Sequence, residues 1–111
     1  MPYRTKSSEA DLVFGALANP TRRDILDLLR DGPRAVQDIA VHFDMARPSV
    51  SEHLKVLLDV GLVTEQRQGR QRLYTVRADP LLRLVGWLTP YEQAWRDRLA
   101  DLREVLEDGE R

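Results

Sequence analysis

Two short amphipathic helices joined by a three-residue turn constrain the fold of this chain more than any other feature. Residues 35–43 are predicted to form the first helix, Asp44-Met45-Ala46 the turn, and residues 47–60 the second helix, which Gly61 ends. Pro48 lies in the first turn of the second helix, where its missing N–H costs nothing. One apolar stripe follows at helical spacing: Val50, Leu54, Leu57 and Leu58. Together these features predict a helix-turn-helix over residues 35–60.

A β-hairpin is predicted directly after this motif, at residues 63–76. Two runs of strand-forming residues flank Gly69-Arg70, which supplies the turn. The hairpin tip, residues 66–72, holds three arginines and three glutamines around one glycine, and no acidic residue. A hairpin that only closed a core would not need such a tip, which indicates a wing that contacts an anionic partner.

The rest of the chain is predicted to be helical. Ser8 is expected to cap a first helix, and Asn19 a second helix that begins at Pro20 and ends near residue 31. A further helix is predicted at 81–88, an interruption at Thr89-Pro90, and a last helix to about residue 107. The expected fold class is mainly α with a small hairpin, about five to six helices in one domain over residues 1–111.

The last helix carries an apolar stripe that a chain of 111 residues has little core left to cover. Such a stripe favours a subunit interface. An alternative is a small-ligand sensor, with a pocket for an apolar molecule near the Pro90 break, lined by Trp87, Tyr91 and Trp95. The stripe consists of Tyr91, Ala94, Trp95, Leu99, Leu102, Val105 and Leu106.

Charge is distributed unevenly, although the net charge of the whole chain is only −1. Residues 47–77 carry six basic and three acidic side chains, a net charge of +3, whereas residues 1–46 carry −1 and residues 78–111 carry −3. A local basic face can bind phosphate on a slightly acidic protein. The alternative is ordinary scatter of surface charge.

Several classes of function are disfavoured by composition. The chain has no cysteine, which excludes disulfides and thiolate sites, and its only histidines are His42 and His53. No nucleophile–base pair or phosphate-binding loop is present, so we expect neither an enzyme nor a cofactor. No apolar run reaches the ~20 residues of a membrane span. Residues 1–4 lack a signal-peptide pattern, which indicates a cytoplasmic location.

The helical wheel of the second motif helix separates a buried stripe from a polar face that is suited to double-stranded DNA. Arg47 is expected to bind guanine, Glu52 to accept from a cytosine amino group, and Lys55 to contact phosphate. Glu52 has two alternatives, a solvated acid or an ion pair with Lys55. His53 lies on the flank, where packing is favoured over base contact. Ser49 and Ser51 complete this face.

The hairpin tip is expected to add contacts to phosphate or to the minor groove, the alternative being a solvated turn. Arg22 and Arg23 could touch the DNA backbone, but an ion pair across helices or subunits is favoured, with Asp24, Asp27 or an acid of a partner subunit. The hairpin residues predicted to contact DNA are Gln66, Arg67, Gln68, Arg70 and Arg72.

Three segments carry a resemblance to a known family: ALANPTRRDIL at 16–26, RPSVSEHLKVL at 47–57 and GLV at 61–63. Together they resemble the signatures of the arsenic-repressor (ArsR/SmtB) family, over about residues 10–107. The resemblance implies a winged-helix bacterial repressor in which residues 47, 51 and 52 match DNA-contact positions. It also implies a homodimer through the first and last helices, with these interface residues: Leu12, Val13, Leu17, Trp87, Tyr91, Trp95, Leu99 and Leu102.

The chain departs from the metal-sensing members of this family. The helix at 35–43 has no cysteine, and residues 79–111 contain no histidine. The tail at 87–99 is similar to metal-independent members. A homodimer on an inverted-repeat DNA site is therefore expected, with a winged-helix protein-interaction module as the alternative.

Overall fold

The computed structural model describes residues 8–109 of the chain. Within this range five helices and three strands follow in the order α1 (Glu9–Leu17), α2 (Pro20–Leu29), β1 (Arg34–Ala35), α3 (Val36–Phe43), α4 (Arg47–Asp59), β2 (Val63–Gln68), β3 (Gln71–Val76) and α5 (Asp79–Gly109). This confirms a winged helix-turn-helix. The chain divides into two units, one up to Leu81 and one from Leu82. The signal-peptide region considered at 1–4, and positions 110 and 111 of the predicted domain, lie outside the described residues.

The predicted caps of the first two helices are confirmed. Ser8 and Asp11 form a reciprocal capping box at α1. The Asn19 side chain accepts from the Arg22 backbone N–H at 3.1 Å, and Pro20 takes the first position of α2. In contrast, α3 and α4 begin after alanines, Ala35 and Ala46, which supply no side-chain acceptor. The N-terminal ends of the two motif helices therefore keep their partial positive charge unshielded by a cap.

The turn between α3 and α4 also follows the prediction. Asp44 adopts a left-handed conformation with φ of 47°, which aspartate tolerates better than most side chains. Its backbone N–H, like that of Met45, bonds to the carbonyl of Ala40. Gly61, at φ 80°, ends α4 one residue after its C-cap. The turn thus sets α4 at a fixed angle to α3.

The core of the first unit lies where α2, α3, α4 and the sheet meet. Val50, Leu54 and Leu57 are all at most 1% exposed, which confirms the apolar stripe of α4. From β2 and β3 come Val63 and Tyr74, both buried. The helices and the loop before β2 supply further buried apolar side chains: Val13, Ala16, Ile25, Leu26, Leu29, Ile39, Ala40 and Leu62.

A third strand joins the predicted hairpin. β1 pairs antiparallel with β3, with Arg34 opposite Tyr74 and Ala35 opposite Leu73, and the strand order is β1-β3-β2. The prediction placed residue 35 in the following helix. Two residues are too few to show an alternating pattern, and their partner lies about 40 positions later, so only the tertiary structure reveals this strand.

The predicted interruption at Thr89-Pro90 is wrong, because α5 runs without a break from Asp79 to Gly109. The Thr89 hydroxyl does not cap a new helix but donates to the Val85 carbonyl at 2.6 Å, one turn earlier. Pro90 removes only one backbone N–H, and its fixed φ is itself helical. The hydrogen bonds of the turns on both sides carry the helix through. No helix between Glu9 and Gly109 has the length and apolar character needed to cross a membrane.

Pro90 should therefore limit the stability of α5. Pro90→Ala restores an N–H for the Gly86 carbonyl and should raise the free energy of unfolding by about 1–3 kcal/mol, since a proline inside a helix costs about 3 kcal/mol. Urea unfolding followed by far-ultraviolet circular dichroism, at one fixed protein concentration, measures this change. Pro48→Ala is the matched control, because Pro48 is also exposed but lies in a first turn. An equal gain in both variants would contradict the prediction.

Candidate nucleic-acid interface

Because α4 buries its apolar stripe in the core, the opposite side of the helix faces solvent. Every residue predicted to read DNA from this helix is exposed, whereas His53 is half-buried. A helix that buries one face completely cannot rotate, so its polar face has a fixed direction. The exposed residues of this face, called here the reading face, are Arg47, Ser49, Ser51, Glu52 and Lys55.

The ion pair on α4 differs from the alternative considered for Glu52. Lys55 Nζ lies 3.2 Å from Asp59 Oδ2, four residues later, rather than beside Glu52. Both side chains of this pair are largely exposed, and such helix pairs stabilise by only about 0.3–0.5 kcal/mol. A phosphate can therefore replace Asp59 as the partner of Lys55 at little cost.

At the wing, two arginines face each other directly across the strands. Arg67 of β2 pairs with Arg72 of β3 in the register of the hairpin. Like charges in directly opposite positions are destabilising. Arg72 also lies 3.9 Å from Glu65, which offsets part of that repulsion. The tip turns at Gly69 with φ of 63°, and all residues from 64 to 72 are exposed. The tip is thus a site where a bound anion would relieve repulsion.

The reading face and the wing meet in one cleft of about 340 Å³. Arg47 and Ser51 line it from α4, and Arg70 and Arg72 line it from the wing. None of the described residues that line the cleft is acidic. The remaining lining residues are Ala35, Val36, Gln37 and Gln71.

Gln37 belongs to this site although it was not among the predicted contacts. Its side-chain oxygen Oε1 accepts a hydrogen bond from Nη2 of Arg47, across the turn between α3 and α4. Nothing in the linear sequence marks this pair, because the two residues lie ten positions apart on different helices. Only the packing of α3 against α4 brings them together.

Within the described part of the chain, Arg22 and Arg23 bond to backbone carbonyls rather than to Asp24 or Asp27. Arg22 Nε donates to the carbonyl of Ala16 at 2.7 Å, and Arg23 Nη1 to that of Leu17 at 2.6 Å. Arg22 also reaches the Gly15 carbonyl at 3.3 Å. These carbonyls belong to the last turn of α1, where carbonyls lack the N–H of a following helical turn and carry partial negative charge. The arginines therefore tie α2 to the end of α1.

The ring of His42 contacts the backbone of its own helix, α3. Its side chain is exposed, and Nδ1 lies 2.8 Å from the carbonyl oxygen of Asp38 one turn earlier. Among residues 8–109 no group of three or more histidine, aspartate or glutamate side chains is arranged to hold a metal ion.

Tyr74 of β3 is a buried tyrosine in the sheet that carries the wing. Burial raises the pKa of Tyr74 above its ordinary value of 10.0, and the hydrogen bond to Glu65 and the charge of that carboxylate raise it further. Arg72 acts in the opposite direction. Glu65 thus lies opposite Tyr74 in the strand register and 3.9 Å from Arg72.

The predicted interface residues differ in their exposure. In α1, Leu12 is exposed and Leu17 is half-buried, but Val13 is only 2% exposed and belongs to the core. Val13 has almost no surface left for a partner, whereas Phe14 beside it is 37% exposed. In α5 all five predicted residues are more than half exposed: Trp87, Tyr91, Trp95, Leu99 and Leu102.

Comparison with known proteins points to one family. The profile described as "Bacterial regulatory protein, arsR family" matches residues 19–65. The transcriptional repressor SdpR of Bacillus subtilis is 38% identical over 76 residues, which cover 68% of this chain and 84% of that protein. A crystal structure of an ArsR family transcriptional regulator superposes with a TM-score of 0.72 at 36% identity, over 80% of this chain and 98% of the other.

A second solved structure adds information on assembly. It is the homodimeric winged helix-turn-helix DNA-binding domain of Mb0332 from Mycobacterium bovis, a possible ArsR-family regulator determined by NMR. It matches with a TM-score of 0.64 at 31% identity and covers 84% of this chain and 91% of the other.

The raised pKa of Tyr74 predicts a loss of stability at high pH. As pH rises above 10.0, the unfolded chain releases this proton before the folded chain does, so the free energy of unfolding falls. Tyr74→Phe has no such proton. It should be less stable at neutral pH by about 1 kcal/mol, through the lost hydrogen bond, and should show a shallower decline above pH 10.

Urea unfolding at steps between about pH 9 and pH 11 measures the two slopes. Tyr3→Phe, which removes one phenol elsewhere in the chain, is the control for the loss of one phenol. Equal slopes for wild type and Tyr74→Phe would show that Tyr74 does not carry the effect.

Proposed function

Since this chain belongs to the arsR family of bacterial regulatory proteins, a family of winged helix-turn-helix transcriptional regulators, we propose that it is a repressor that binds an inverted-repeat DNA site as a homodimer. The observation that carries the proposal is the cleft of about 340 Å³ that joins the reading face to the wing. Arginines approach this cleft from two sides, and no acidic residue lines it. Double-stranded DNA offers phosphates and base edges together, which such a surface fits.

Within the proposed complex, α4 enters the major groove with its N-terminal half foremost. Recognition helices contact bases through these first residues. Arg47 binds guanine O6 and N7 with two N–H groups, which is worth about 1–3 kcal/mol of discrimination. Glu52 accepts from a cytosine amino group, and Ser49 and Ser51 bond to bases or phosphates. Lys55 exchanges Asp59 for a phosphate, because their exposed pair is weak.

The wing supplies binding energy that does not depend on sequence. Phosphates beside Arg67 and Arg72 relieve the repulsion between these directly opposed side chains. Arg70 at the turn adds another cation, and Gln66 and Gln68 add hydrogen-bond donors. Each neutralised phosphate releases counterions, so this part of the affinity should fall steeply with salt.

A second copy of the chain is proposed to cover the apolar stripe of α5. Trp95, near the middle of the stripe, is 62% exposed, and Leu99 and Leu102 continue the same face. Exposed apolar surface of this extent is typical of subunit interfaces. Leu12, Phe14 and Leu17 of α1 are proposed to extend the interface. The solved neighbour from Mycobacterium bovis is described as homodimeric.

Twofold symmetry then determines the form of the DNA site. Two identical recognition helices read two half-sites of inverted sequence, about 10 bp apart, which is one turn of the duplex. A footprint that covers one non-palindromic half-site, bound by a monomer, would contradict the proposed assembly.

Two arginines should separate sequence-specific from general binding. Arg47→Ala should weaken binding to the preferred duplex by about 1–3 kcal/mol and relax selectivity at one base pair. Arg70→Ala should weaken binding to all duplexes alike and reduce the salt slope by about one. Fluorescence anisotropy with a duplex selected from a random pool by the wild-type protein, and with an unrelated duplex, measures both effects across a salt titration.

Arg30→Ala is a control, since Arg30 is the exposed C-cap residue of α2 and does not line the cleft. Retention of both duplexes by both test variants, at wild-type affinity and salt slope, would mean that the DNA surface lies elsewhere.

The stripe of α5 gives a separate prediction about assembly. Trp95→Glu places a charge on the proposed interface and should convert dimer to monomer, which weakens binding to the inverted repeat more than to one half-site. Sedimentation velocity measures the mass. Ala100→Glu is the matched control, because residue 100 lies about 140° around the helix from residue 95 and is also exposed. A monomeric wild type would refute the dimer.

A further inference from the structure

The hydrogen bond between Gln37 and Arg47 joins two exposed side chains on different helices. Both side chains are exposed, so burial does not force them to pair. An arginine side chain has several rotatable bonds, so an exposed arginine at the start of a helix would otherwise sample many conformations in water. Gln37 lies in the first turn of α3, which the core fixes through Ile39 and Ala40. The mobile end of Arg47 is thus tied to a rigid element.

The chemistry of the acceptor suits a DNA site. A carboxylate at position 37 would hold Arg47 more strongly, but it would place a negative charge in a cleft that otherwise has none among its described lining residues. The amide oxygen of glutamine accepts the bond without that charge. The guanidinium has five N–H groups, so a bond from one N–H of Nη2 leaves one edge with two donors for a base.

We propose that Gln37 is a positioning residue for Arg47 and determines specificity by holding the guanidinium ready for guanine before DNA arrives. This inference rests on the proposed role of Arg47 in base reading. Preorganisation lowers the entropy that binding must otherwise remove, so Gln37 adds affinity only where Arg47 meets its base. On a duplex without that guanine, the same side chain should add nothing.

A double-mutant cycle on DNA binding tests the inference. Gln37→Ala, Arg47→Ala and the double variant are titrated by fluorescence anisotropy against three duplexes: the one selected by the wild-type protein, the same duplex with the guanine read by Arg47 replaced, and an unrelated one. Gln37→Ala should lower affinity for the selected duplex about fivefold, within the range for directly coupled residues. It should have no effect in the Arg47→Ala background or on the other two duplexes.

Two further variants sharpen the result. Gln37→Glu should keep Arg47 in place but weaken binding to every duplex, because it adds a negative charge to the cleft. Gln71→Ala is the matched control, an exposed glutamine that lines the same cleft from β3. Any effect of Gln71→Ala should be the same with and without Arg47. Thermal unfolding of all variants should match wild type, which separates positioning from a loss of fold.

The failure of this inference is distinguishable from failure of the proposed function. If Arg47→Ala weakens selected binding but Gln37→Ala costs the same factor with and without Arg47, Gln37 contacts DNA by itself or has no role, and the inference is overturned. If Arg47→Ala also leaves selected binding unchanged, the base-reading role of Arg47 fails first. Loss confined to the selected duplex and abolished in the Arg47→Ala background supports the inference.

Discussion

Burial of one stripe of α4 is the constraint on which the rest of the first unit depends. Val50, Leu54 and Leu57 are almost completely removed from solvent, and each is worth about 1.5–3 kcal/mol relative to exposure. A helix buried this firmly has one permitted rotation. The polar residues Ser51, Glu52 and Lys55 between those positions therefore point toward solvent, and no other contact is needed to orient them. The direction of the reading face is a consequence of core packing.

Two electrostatic features of the site, uncapped helix N-termini and opposed arginines, destabilise the chain when no anion is bound. α3 and α4 begin after alanines, whereas α1 and α2 have side-chain caps, and a missing cap typically costs about 1 kcal/mol. Arg67 and Arg72 oppose each other across the wing. These unfavourable features concentrate positive potential around one cleft. A polyanion would relieve them, which accounts for their presence in a DNA-binding regulator.

The sequence predicted the features that depend on near neighbours. The caps Ser8 and Asn19, the turn at Asp44 and the hairpin turn at Gly69 all appear where they were expected, because each involves residues within about four positions of one another. The prediction was wrong at Pro90, where a local helix-breaking effect competes with the hydrogen bonds of the neighbouring turns. Pro90 was expected to end a helix, yet the hydrogen bonds of the adjoining turns outweigh the one it removes.

By itself, the sequence determined the fold class, the exposed face of α4 and the family, since helical periodicity and local turn chemistry are written into consecutive residues. The tertiary structure alone decided which distant groups meet. It paired Arg34-Ala35 with β3, directed Arg22 and Arg23 to the carbonyls of α1 and placed Val13 in the core. It also joined Gln37 to Arg47. Such contacts depend on the angle and distance between packed elements, and no spacing along the chain encodes them.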